Sequence, residues 1–400
     1  MVCQKTADCN IDFEKDGLDL YIDGDFIKAH GTTLGADNGI AVAITLAILE
    51  SHDIAHPPIE AVFTVDEEIG MIGASALDTS VLKSKRMINL DSEEDGTVTV
   101  SCAGGSDFIA DIPLSFATVN GNAVTLEISG LKGGHSGVEI NKNRVNANLI
   151  AGRILNKLQN FAEIISINGG DKDNAIPNRC EIKLCVTDLD AFKEVLEQQF
   201  NIIKAEISDR EPDFNLELNV GDSGEFNCFN ADAKSKIIYT LLCVPNGVTE
   251  MSCEIEGLVQ TSLNLGVLNT QTDCIHLHFA LRSNKQTALY FLEERLTAFF
   301  NTLNVKNSIA GHYPPWEYNE NSVLRDTYIS VYKNMFNKEP SVEAIQAGLE
   351  CGVFASKIKD FDCIAIGPAL YDVHTVNEKL SISSTENLYN LIIKILENLK

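Results

Sequence analysis

The feature that most constrains folding is an alternation in the first hundred residues. Residues 40–50 (IAVAITLAILE) are continuously apolar and helix-length, while 59–65 (IEAVFTV) and 86–90 (RMINL) are short and rich in strand formers. Strands alternating with helices predict a mostly parallel sheet covered on both faces. Four hundred residues allow two to three domains.

Charge removes several function classes. Thirty-one basic residues face 57 acidic ones, a formal net charge of −26, with no basic run to track phosphates. Nucleic acid and anionic membrane surfaces are therefore not expected partners. No stretch approaches the about 18 consecutive apolar residues of a spanning helix. The start, MVCQKTADCN, lacks a charged-then-apolar leader pattern. Eleven cysteines form no C-x-x-C pair, and Cys185 and Cys363 sit inside apolar runs. Reduced thiols in a cytoplasmic protein are the expectation.

The middle of the chain changes character. A strand at 123–129 leads through a glycine-rich turn, Gly130 to Gly137, into a helix over 141–160. Strands at 163–168 and 180–187, a helix at 188–208 and a strand at 214–220 follow. That order, β-α-β-β-α-β, is the ferredoxin-like signature. A partial repeat follows: a helix at 231–243, strands at 258–268 and 273–281, and a helix at 284–302. Beyond the segment 311–316 (GHYPPW) the α/β character returns, with helices at 322–337, 347–358 and 384–399 around a strand at 363–367. The expected architecture is an α/β domain, 1–104 and 314–400, interrupted by an α+β lid, 105–313.

Acidic and imidazole side chains stand just past the strand-like runs. Asp66, Glu67 and Glu68 follow 59–65, Asp91 follows 86–90, and His374 lies in a loop beyond 363–367. Asp37 sits in a glycine-rich turn that opens the apolar helix. Ligands of open α/β sheets bind outside the carboxyl ends of the strands, so these groups can converge. Clustered charges would repel in a partly dry cleft, and a divalent cation relieves them. Mixed imidazole and carboxylate donors suit zinc, manganese or cobalt. Singly, each group has an ordinary explanation: a solvated turn for Glu67-Glu68, an N-cap for Asp37, a surface loop for His374. Their joint placement carries the argument. His276 and His278 share a strand face but read as structural, as do His30, His52, His56 and His312. No nucleophile elbow, Walker motif, G-x-G-x-x-G or H-E-x-x-H occurs.

Seven segments together resemble a known family: GTTLGADNG, FTVDEEIGMIGA, NLDSEEDG, GGHSGVEINKNRVNANLI, NAIP, AGLECGVF and the late Gly-Pro…His stretch. The chain is similar throughout to the M20 metallopeptidases, in their cytosolic aminoacyl-histidine dipeptidase branch. The resemblance implies a zinc-peptidase-like α/β catalytic domain with an inserted lid that forms a homodimer. It implies two zinc ions, with manganese or cobalt as substitutes, and an unblocked dipeptide such as Xaa-His as substrate. Asp37 would bridge the metals, Glu68 and His374 would complete one site, and Asp91 would hold the other. Glu67 would be the general base. His135 and Asn174 would reach the substrate on lid closure, and Arg282 would meet its carboxylate.

One departure is expected to matter. The family's His-x-Asp motif would stand immediately before Met1, so one metal keeps Asp37, Glu68 and His374 while its partner keeps Asp37 and Asp91. A segment upstream, an inactive or weakly active truncated homologue that binds peptides, and catalysis by a single metal or with the missing segment supplied by another chain are the readings this leaves. A tripeptidase or an N-acyl amino acid amidohydrolase is the alternative within the family.

Overall fold

The computed structural model describes residues 1–400. The chain begins with β1 (Leu20–Asp23), β2 (Phe26–Ala29), α1 (Ala36–Glu50), α2 (Ile72–Ala76), β3 (Arg86–Asn89) and β4 (Thr97–Cys102). A long insertion follows: β5 (Gly104–Pro113), β6 (Phe116–Ser129), β7 (Gly134–His135), α3 (Ala147–Leu158), β8 (Ala162–Gly169), β9 (Ala175–Ile176) and β10 (Cys180–Val186). It continues through α4 (Leu189–Ile207), β11 (Asn215–Phe229), α5 (Ala231–Cys243), β12 (Gly247–Met251), β13 (Val259–Thr270), β14 (Cys274–Ser283), α6 (Gln286–Thr302) and β15 (Lys306–Tyr313). The chain closes with α7 (Val323–Phe336), β16 (Ser341–Ile345), α8 (Glu350–Lys357), β17 (Asp362–Ala365), β18 (Leu370–Tyr371), β19 (Lys379–Ser381) and α9 (Ile382–Asn398). Two compact units result, Met1–Cys102 with Pro315–Lys400, and Ala103–Pro314.

The first unit holds a sheet of order β16-β4-β17-β3 and an antiparallel sheet of order β1-β2-β19-β18. β16 lies parallel to β4 and β17 parallel to β3, but β17 meets β4 antiparallel at Ala365 and Thr99. The sheet is thus mostly parallel, as the sequence predicted, with one short antiparallel pairing at its centre. Trp316, Cys102, Cys351, Cys363 and Ala365 pack its core.

The strand expected over 59–65 does not form. This segment pairs with no neighbouring strand, and a strand is made only by pairing. Val62, Phe63 and Val65 are exposed, as are Val42, Leu46 and Leu49 on α1. Val42, Val62, Phe63 and Val65 line a groove of about 990 Å³ that reaches β3, α8 and α9.

The second unit corrects the expected partial repeat to a complete one. Its sheet order is β11-β6-β10-β8-β13-β14-β5-β15. The first half takes its strands from one β-α-β-β-α-β run, β6 to β11. The second half has the same element order, but its first strand, β5, precedes the whole first half in sequence. The sequence reading missed β5 and β15, the two strands that complete the repeat. The halves join where Leu268 and Asn269 of β13 pair with Gly169 and Asn168 of β8.

Both halves bury apolar helix faces on one core. Ile150, Ile154, Leu155 and Leu158 of α3 and Ile237, Ile238 and Leu241 of α5 belong to it. Gly152 lets α3 and α5 approach closely: a Cβ there would lie 2.4 Å from the Leu241 Cβ. Gly152→Val is therefore expected to overpack this contact and cost about 1–3 kcal/mol, read as a lowered midpoint in urea denaturation.

Candidate active site

Asp37 opens α1, but its backbone and that of Asn38 are not helical, and the Asp37–Asn38 peptide is cis. A buried carboxylate fixes this turn. Glu378 Oε2 accepts from the backbone N–H groups of Leu34 at 2.8 Å and Gly35 at 3.0 Å. Its Oε1 accepts from those of Ala36 at 2.8 Å and Asp37 at 3.2 Å. Backbone donors at a helix start otherwise lack partners, and a negative charge there also meets the helix dipole favourably.

Glu378 belongs to the loop that carries His374, between β18 and β19. His374 sits at φ 62°, a left-handed conformation that a non-glycine residue holds only when its surroundings impose it. The Thr375 hydroxyl donates to the Asp372 carbonyl at 2.7 Å and accepts from the Asn377 N–H at 3.1 Å, which braces the loop.

The loop delivers His374 to two carboxylates. Its Nε2 lies 2.8 Å from Asp37 Oδ2 and 2.8 Å from Glu68 Oε1. One ring nitrogen has a single proton to divide between the two carboxylates, whereas a cation takes all three donors. These atoms lie within 4.8 Å of one another. The donor set fits a metal.

Asp91 stands outside this trio, at the end of β3. Its Oδ1 accepts from Asn38 Nδ2 at 2.8 Å, and its backbone N–H donates to Asn89 Oδ1 at 2.9 Å. Glu67 adjoins Glu68 in the turn before α2. A cavity of about 150 Å³ is lined by Asp37, Glu67, Glu68, Asp91 and His374 together.

The electrostatics follow from crowding. Burial, then Asp91, Glu68, Glu350 and Asp37, push the Glu67 carboxyl up to about 7. Burial, then Asp37 and Glu350, push Asp91 up to about 6, against the Asn38 hydrogen bond that favours its charge. Burial opposes charge on His374, but Glu68 and Asp37 outweigh it and raise its pKa. Burial also raises Glu350 and Glu93. The sequence reading assigned no role to Glu350, Glu93 or Glu378. The first two stand in quoted motifs, AGLECGVF and NLDSEEDG. Glu378 follows His374 by four residues, and only its burial distinguishes it from a surface acid.

Three expected site residues lie in the second unit. His135 is on β7, paired opposite Ala175 of β9, which places it beside Asn174 along the chain. The N–H groups of Gly137 and Val138 donate to His135 Nδ1 at 3.1 and 3.2 Å, which leaves the ring proton on Nε2. Burial and then the Arg282 charge lower the pKa of His135, so the ring is a neutral donor at pH 7. Arg282 is half-buried on β14, and its Nη1 donates to the Tyr313 hydroxyl at 3.0 Å.

Three metal donors beside a carboxyl that titrates near neutrality equip a hydrolase that works with a bound cation. The comparisons specify which. The model of peptidase family M20/M25/M40 matches residues 11–398. The cytosol non-specific dipeptidase of Escherichia coli is 35% identical over 405 residues, 100% of this chain and 83% of that protein. The crystal structure of the aminoacylhistidine dipeptidase of Vibrio alginolyticus superposes with a TM-score of 0.96 at 33% identity, over 100% of this chain and 82% of that one. The chain belongs to peptidase family M20/M25/M40, whose members are metal-dependent.

Two outcomes test this site. Glu378→Ala is expected to leave four backbone donors unpartnered and lower stability by on the order of 3 kcal/mol, with Glu378→Gln intermediate, both measured by urea denaturation. The metal-free chain is expected to grow more stable as pH falls from about 8 to 6. Glu67 and Asp91 have folded pKa values above their unfolded ones, so protonation relieves their cost as pH drops through about 7 and then about 6. In the metal-free Glu67→Gln chain, thermal melts should show a shallower slope over that window.

Proposed function

We propose that this chain is a metal-dependent dipeptidase that hydrolyses unblocked dipeptides, Xaa-His among them. The observation that carries this reading is the convergence of Asp37, Glu68 and His374 beside Glu67. The three donors would hold the cation, with zinc favoured by the donor mix and manganese or cobalt as substitutes. When bound there, the cation supplies Lewis-acid polarisation of the scissile carbonyl. Asp91, oriented by Asn38, would join Asp37 in holding a second ion.

Glu67 is the general base. Its carboxyl is pushed up to about 7 in the metal-free site, and a cation bound beside it would favour the carboxylate form that takes a proton from water and returns it to the leaving amine. The other carboxylates of the cavity, Glu93 among them, favour a substrate with a free ammonium group over an acylated one. In the second unit, His135 would donate through Nε2–H to a substrate oxygen that gains negative charge. Asn174 and Arg282 would bind the remaining substrate oxygens, Arg282 taking the carboxylate. A cytoplasmic location and a homodimer formed through the second unit complete the proposal, on the family resemblance.

The test is release of histidine from an unblocked Xaa-His dipeptide by the 400-residue chain in zinc or manganese. Glu67→Gln is expected to lower kcat by about 10²–10⁴-fold while bound metal stays unchanged. Turnover that survives this substitution would remove Glu67 from its role. Faster cleavage of an N-acylated substrate would replace the dipeptidase reading with an amidohydrolase one.

A further inference from the structure

The second unit carries another group of donors, on the same strand face as Arg282. His276, His278 and Arg282 alternate along β14, and Asp107 and Asp111 alternate along the neighbouring β5. His276 and Asp111 stand directly opposite and form an ordinary pair, ring nitrogen to carboxylate at 2.9 Å. His278 is arranged differently.

We propose that Asp107, Asp173 and His278 form a second binding site for a divalent transition-metal ion. Their donor atoms lie within 4.8 Å of one another. His278 Nε2 is 3.1 Å from Asp107 Oδ1, yet it is closed off from solvent and makes no hydrogen bond of good geometry. Two donors that share one tetrahedral ion at about 2.0–2.1 Å stand roughly 3.3 Å apart, close to that spacing. A buried imidazole nitrogen close to two carboxylates, without a well-made hydrogen bond, is what a cation would complete.

The site is preassembled from three elements. Asp107 and His278 are diagonal neighbours across β5 and β14, His278 lying opposite Ile109 and Asp107 opposite Ala280. Asp173 comes from the loop between β8 and β9, which is clamped onto β13. Asn264 Nδ2 donates to the carbonyls of Asp173 at 3.2 Å and Ala175 at 2.8 Å. Gly266 gives the loop room, since a Cβ there would lie 2.3 Å from the Asp173 carbonyl oxygen. Donors held in place beforehand lower the ordering cost of binding. Two carboxylates and one imidazole give the charge and softness for zinc, cobalt or manganese, and disfavour magnesium and calcium. The ion would fasten the loop that also carries Asn174, which gives it a structural role distinct from the Asp37, Glu68 and His374 set.

The test counts metal. The 400-residue chain is dialysed against Zn²⁺ or Co²⁺ and its bound metal measured by mass spectrometry, beside His278→Ala, Asp173→Asn, His276→Ala and His374→Ala. His278→Ala and Asp173→Asn are each expected to lose one equivalent, and His276→Ala none. His374→Ala should lose a different equivalent, so that the His278→Ala, His374→Ala double variant loses both. Zn²⁺ should still raise the melting temperature of His374→Ala but not that of the double variant. Asp173→Asn is nearly isosteric, so its loss of metal would not reflect misfolding, and a circular dichroism melt verifies that. Unchanged stoichiometry in both His278→Ala and Asp173→Asn overturns the proposal and leaves these residues as an ion-paired cluster.

Discussion

Four backbone N–H groups converge on one carboxylate, and the geometry of the candidate active site depends on that contact. Glu378 is 3% exposed and receives the amides of Leu34, Gly35, Ala36 and Asp37. It replaces the hydration those donors would lose, and it does so from the loop that holds His374. The two metal-binding segments are thereby fixed to each other by one side-chain carboxylate on four main-chain amides, without relying on the metal. Asp37 and His374 are 337 residues apart in sequence but 2.8 Å apart in space. A site built this way keeps its shape when the cation leaves, and meets a returning ion with little reorganisation.

The same construction creates an electrostatic cost. Asp37, Glu67, Glu68, Asp91, Glu93 and Glu350 are close enough for their charges to act on one another, and His374 is the one basic group among them. Where no counter-charge is present, the cost appears as carboxyls that hold their protons. A cation bound by Asp37, Glu68 and His374 would cancel much of it. Binding and protonation are then linked: the crowding that raises affinity for the metal also holds a proton on Glu67 in the metal-free site, and the cation would favour the carboxylate that acts as base.

The sequence made local periodicity legible, and non-local pairing far less so. The first β-α-β-β-α-β run could be read because β6 to β11 are consecutive and their apolar periods switch cleanly. The second could not, because β5 lies before that whole run while its partners β14 and β15 lie after it. Residues 59–65 carry every local sign of a strand, yet strands are made by neighbours, and this segment has none. Within the site, Glu68, Asp91 and His374 were visible through their places beyond strand-like runs and Asp37 through the turn that opens the apolar helix, and the family resemblance supplied Glu67's role. Glu378 was not visible, since an acid that caps a turn looks like any surface acid until its burial is known. His278 had a weak signal in the H-x-H pattern. Asp107 and Asp173, which distinguish it from His276, come from a neighbouring strand and a distant loop.

The topology of the insertion explains how one chain accommodates these separate constructions. β5 opens the second unit and β15 closes it, and the two are paired, Gly105 opposite Tyr313. In the first unit, Cys102 and Trp316 exchange backbone hydrogen bonds at 3.0 and 3.1 Å. The chain therefore leaves and re-enters through residues that are already side by side. Some 210 residues can be inserted at such a point with little loop-closure cost to the unit that receives them, because the cost is met inside the insertion's own sheet. Trp316 then packs with Cys102, Cys351, Cys363 and Ala365 in the first unit's core beside β17. The metal ligands of the first unit can thus be fixed by contacts wholly within that unit, while the second unit carries its own core, its own glycine-dependent clamps and its own array of charged side chains.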